Sequence, residues 1–147
     1  MTEVAFHFNA PDQQAYACRL LRKGYLKGAR LVVRAEAHAL ASLDAALWTF
    51  AAGEFIPHAR QGDAPYVLER SPVQIYSELP DVLENARSCV LVNLCFSMPP
   101  GFERFARVIE VVTFDENDRQ QARERWRAYK RRGIEPVRHD LHLAPQE

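Results

Sequence analysis

The chain has 147 residues, 19 basic and 19 acidic, and 48% hydrophobic content; that length suits one domain able to bury a core, and the charge balance excludes a protein that coats nucleic acid with its whole surface. No apolar run approaches the roughly 20 residues needed to span a bilayer, and no charged start followed by an apolar run marks a secretory leader. The three cysteines, Cys18, Cys89 and Cys95, are odd in number and lack C-x-x-C spacing, so they read as buried reduced thiols of a cytoplasmic protein.

In chain order, "VAFHF" (4–8) predicts a first strand. Residues 12–28 predict a helix with Ala17, Leu21 and Gly24 on one face and Gly28 as its stop. "ARLVVRA" (29–35), rich in β-branched residues, predicts a second strand. Residues 36–50 follow as a helix with Leu40, Leu43, Leu47 and Phe50 at core spacing. Gly53, Pro57, Gly62 and Pro65 punctuate an irregular stretch. "PVQIY" (72–76), "CVLVNLCF" (89–96) and "RVIEVVTF" (107–114) are strand-like, the last two apolar on both faces as in covered parallel sheets. "DENDRQQARERWRAYKRR" predicts a final helix, with acids in its first turn and bases in its last. Residues 135–147 are expected to form an extended tail. Alternating strands and helices give an α/β fold: a single three-layer α/β/α domain over 1–147 around a mainly parallel sheet.

A parallel sheet invites a nucleotide, yet the first strand-to-helix turn is "NAPDQQ" (9–14), without a glycine. Neither G-x-x-x-x-G-K-[ST] nor G-x-G-x-x-G occurs. In "HDLH" (139–142) two histidines at i,i+3 lack a third partner, which is weak for a metal. His7 and His58 read as packing or surface residues, and there is no G-x-S-x-G elbow. We expect no cofactor, no metal and no catalytic activity.

The stretch "RQQARERWRAYKRRG" (119–133) carries seven bases and one acid, leaving 12 bases and 18 acids elsewhere. With residues about 100° apart on a helix, Arg119, Arg123, Trp126, Arg127 and Lys130 share an arc about 100° wide. Ala122 and Tyr129 make a neighbouring apolar seam suited to dock the helix on the sheet. Charge runs are usually solvated faces. Here, however, Arg119, Arg123 and Arg127 repeat a like-charge i,i+4 contact that costs a few tenths of a kcal/mol each time. That pattern favours an acidic ligand, and the bordering Trp126 favours one that also carries an apolar or aromatic group. Direct nucleic-acid binding by the helix over 119–132 is the rival reading.

Trp48 falls about 120° from the Leu40–Leu43–Leu47–Phe50 stripe. It precedes "FAAGEFIPH" (50–58), which adds Phe55, Ile56 and Pro57. The grouping suggests an exposed apolar patch for a protein partner; the alternative is a loop folded over the Trp.

"LDAALWTFAAGEFIPH" (43–58) and "VIEVVTFDENDRQQARERWRAYKRRG" (108–133) resemble the two signature regions of the chi subunit of bacterial DNA polymerase III, through L-D-x-A-L-W…F-I-P-H and the A-R-E-R-W-[KR]-x-Y helix. The resemblance implies a nucleotide-binding-like fold that binds no nucleotide, in a non-enzymatic accessory subunit of the clamp loader. It implies two partners: the psi subunit, and the acidic C-terminal tail, ending in phenylalanine, of single-stranded-DNA-binding protein. DNA would be met only indirectly. Carried over by position, the tail-binding residues fall on Arg119, Arg123, Trp126, Arg127 and Lys130. The psi-facing surface falls around Trp48 and Phe55, with Ile56 and Pro57 beside them; a helicase is the other candidate for that surface.

Overall fold

Seven short strands form, with β-branched and aromatic residues most concentrated in β4 and β6: β1 (Glu3–Ala10), β2 (Arg30–Arg34), β3 (His58–Arg60), β4 (Val73–Tyr76), β5 (Cys89–Asn93), β6 (Arg107–Thr113) and β7 (Val137–Asp140). In the computed structural model, which describes residues 2–50 and 55–141, they form one sheet in the order β3-β4-β2-β5-β6-β1-β7. Every pairing is parallel. Parallel neighbours require crossover connections. These are supplied by α1 (Gln13–Leu26), α2 (Leu40–Thr49), α3 (Pro65–Arg70), α4 (Glu116–Arg131) and the loops between them.

The crossovers cover both faces, so the core has two halves. Leu21, Leu43 and Leu47 pack with Val33, Ile75, Val92 and Ile109 beneath α1 and α2. Ala122 and Tyr129 pack with Val4, Phe6, Leu91, Val108 and Val112 beneath α4, together with Phe102 and Phe105 from the loop before β6. A Cβ on Gly24 would come within 2.9 Å of Leu31 Cδ2, so this glycine is what lets α1 approach β2. Gly28, at φ +82°, turns the chain out of that helix. The three cysteines are free and buried. Among the described residues no helix is long and apolar enough to cross a membrane.

Three regions differ from the sequence-based expectation. The stretch read as irregular contains β3 and α3; Pro65 opens α3 at a position where a missing N–H costs nothing, but three and six residues are too few to show a period. Residues 137–140, expected as tail, are a strand pairing with β1 from Ala5↔Val137 to Phe8↔Asp140. Beyond that strand the structure describes only Leu141, and residues 142–147 lie outside the described structure. Finally, β5 stops at Asn93 rather than running to Phe96. There the Asn93 side chain accepts from the Cys95 N–H at 3.3 Å and donates to the Ser97 carbonyl at 3.1 Å, bending the chain away.

Candidate functional site

The start of α4 is fixed immediately after β6. Asp115 caps it by accepting from the Asp118 N–H, while buried Asp118 accepts from both the N–H and the hydroxyl of Thr113. From that origin the helical angles place Ala122 and Tyr129 against the sheet, both buried. Tyr129 packs edge-on against Phe6 and Phe102, at centroid distances of 5.9 and 5.0 Å. Arg119, Arg123, Arg127 and Lys130 lie on the exposed side. Half-buried Trp126 stands between them, its ring 5.2 Å from Phe6.

A groove of about 400 Å³ runs between α4 and the β1–β7 edge. Its apolar floor is Phe6, Phe8, Val112 and Ala122, with Trp126; its cations are Arg119, Arg123 and Arg127 from α4 and Arg138 from β7. Sequence reasoning missed Phe6, Phe8 and Arg138. The alternation in "VRHDLHL" was the available signal for β7. Lys130 does not line the groove and lies 3.8 Å from Glu135. Like-charge repulsion along this side of the helix is also softened. Arg123 pairs with Glu116 at 3.4 Å, and Arg127 pairs with Glu124. Such exposed pairs contribute at most about 1 kcal/mol, comparable to the repulsion they offset.

At the carboxyl ends of the strands, where open α/β sheets place nucleotides, lies a small pocket of about 120 Å³ beside Gln13, Glu36 and Leu94, and side chains occupy the first strand-to-helix turn. Asp12 caps α1 by accepting from the Ala15 N–H, which puts a carboxylate where a phosphate would need positive potential. The Gln13 amide donates to the carbonyls of Leu94 and Val111. Asn9, at φ +66°, reaches Asp140 at 2.9 Å.

On the α4 face, fully buried Glu110 receives Arg125 Nε at 2.9 Å, Tyr129 Oη at 2.8 Å and Asn93 Nδ2 at 2.9 Å. Arg125 Nη1 donates to the Phe96 carbonyl at 2.7 Å, while Nη2 is buried without a hydrogen-bond partner among the described residues. Burial pushes the Glu110 carboxyl up, against the pull of Arg125 and its other donors; burial and Glu110 push the Tyr129 phenol up as well. A lone Glu inside "RVIEVVTF" was the sequence signal for this network.

A second surface lies on the other face of the sheet. Trp48 and Phe55 are 58% and 54% exposed, with ring centroids 5.0 Å apart. His58 packs edge-on to Trp48 at 5.2 Å. The two His58 ring nitrogens are held by the Ile56 carbonyl at 2.7 Å and Asp44 Oδ1 at 2.8 Å, so the histidine braces the pair from below. Ile56 is corrected: it is 2% exposed and belongs to the core beneath α2, so the accessible patch excludes it. Pro57 is half-buried, and residues 51–54 lie outside the described structure.

The family model described as "DNA polymerase III chi subunit, HolC" matches residues 1–137. The chain is 32% identical over 149 aligned positions to DNA polymerase III subunit chi of Pseudomonas aeruginosa, covering 96% of this chain and 98% of that one. It is 30% identical over 118 positions to the subunit chi of Escherichia coli K12, covering 80% and 78% of the two chains. It is 28% identical over 118 positions to that of Haemophilus influenzae, covering 80% and 79%.

Proposed function

This chain belongs to the DNA polymerase III chi subunit family, and we propose that it acts in DNA replication as a non-catalytic bridge. In this reading the groove beside α4 captures the acidic C-terminal tail of single-stranded-DNA-binding protein. The Trp48–Phe55 surface meets the psi subunit of the clamp loader.

The observation that carries the reading is the groove's mixed chemistry. Guanidinium groups line an apolar trough with Trp126 at its edge, which suits a peptide presenting carboxylates around an aromatic side chain. A phosphate backbone would use the cations and leave the apolar floor idle. The Trp48–Phe55 pair lies across the sheet from α4, so one occupant need not displace the other. Few contacts and exposed cations give modest, salt-sensitive affinity, which suits short residence during replication.

The test is calorimetry with an acidic peptide ending in Phe against an oligonucleotide of similar charge. Peptide binding that weakens with Arg123→Ala and Trp126→Ala supports capture. Oligonucleotide binding of equal strength on the same residues would favour direct nucleic-acid binding instead.

A further inference from the structure

We infer that Arg138, on the edge strand β7, is a second anion-recognition wall of the groove, so that an acidic peptide is gripped between strand and helix rather than by α4 alone. This rests on the peptide-capture reading above.

The register Phe6↔Arg138 puts the side chain on the α4 face of the sheet. Its guanidinium carbon stands 4.8 Å from the centre of the Phe8 ring, a contact that holds the planar group at the groove rim. Arg123 and Arg127 already hold carboxylates of their own helix. Among the described residues Arg119 and Arg138 form no ion pair. A ligand carboxylate arriving at Arg123 must compete with Glu116, whereas at Arg119 or Arg138 it meets no such competitor among the described residues. These two cations come from different elements, with Phe8 and Trp126 among the groove residues they share. The ligand that matches is a peptide with carboxylates on both sides of an apolar or aromatic side chain. The family match ends at residue 137, so this wall lies one residue beyond it.

The experiment titrates the full chain with an acidic peptide ending in Phe, and with peptides in which each carboxylate, the terminal one included, is neutralised in turn. Arg138→Met keeps an apolar stem over Phe8 and removes the charge. The expected result is a loss on the order of five- to tenfold against the parent peptide, and a loss that vanishes against the one peptide lacking the partnered carboxylate. An equal loss against every peptide would mean that Arg138 merely seats β7, and would overturn the inference. So would wild-type affinity in Arg138→Met alongside weakened binding in Arg119→Met, which leaves capture by α4 intact. If the unaltered chain binds none of the peptides, the capture reading fails, and the inference with it.

Discussion

Arg125 Nε lies 2.9 Å from Glu110 Oε1 inside the molecule, while the groove-side cations of the same helix face solvent. Their exposures, 3% for Arg125 and 0% for Glu110, make this a structural ion pair, with Tyr129 and Asn93 completing the coordination of the carboxylate. Removing one partner strands the other's charge in the core, at a cost of about 3–5 kcal/mol. Arg125→Met should therefore lower the urea midpoint sharply. Glu110→Met combined with Arg125→Met should recover most of the loss, because no buried charge then remains.

This pair marks the limit of what was legible in the sequence. The arc from Arg119 to Lys130 predicted which side of α4 faces water, because a 16-residue helix has enough turns to display its period. It also located the Ala122–Tyr129 seam. Arg125 lies beside that seam, but its role depends on Glu110 in another strand, a contact that no local period encodes. The groove's far wall was hidden for a different reason. β7 is an edge strand of four residues, mostly exposed, so its composition resembles that of a tail. Trp48 stood out because it breaks a regular stripe; its neighbour Ile56 was misplaced because the irregular stretch gave no face to assign it to.

Trp48 and Leu47 are adjacent yet should respond oppositely. Leu47 is 1% exposed and Trp48 58%. Leu47→Ala should cost about 2–5 kcal/mol. Trp48→Ala should stay within about 1 kcal/mol in a denaturation curve while weakening binding of the proposed clamp-loader-side partner. A Trp48→Ala chain that unfolds would return this residue to the core.

His7 should make the chain's stability sensitive to acid. It is 8% exposed, its Nδ1 lies 2.5 Å from Tyr16 Oη, and its ring stacks 4.8 Å from His139 on β7. Burial foremost, then the nearby charges of His139, Arg107 and Lys23, pull its pKa down from 6.5 to about 4. The unfolded chain therefore takes up this proton first as pH falls. Stability should decline between about pH 6.5 and 4, by up to about 3 kcal/mol at the lower end. Unfolding curves across that range should flatten in His7→Gln; an unchanged slope in the variant would assign the sensitivity elsewhere.

Because Asp12 and Gln13 occupy the turn where a phosphate loop would sit, calorimetry with ATP should give no heat of binding at micromolar concentrations. Micromolar binding lost on substitution in residues 9–14 would contradict that account of the sheet's carboxyl edge.

The chain has two tryptophans, and each stands at one of the two proposed surfaces. Their indole N–H resonances in a nitrogen–proton correlation spectrum therefore report the surfaces separately. The acidic tail peptide should move the Trp126 signal and leave Trp48 in place. The psi subunit should do the reverse, and both displacements should persist when the two ligands are present together. If the second ligand returns the first signal to its free position, the surfaces exclude one another and the protein is not a bridge.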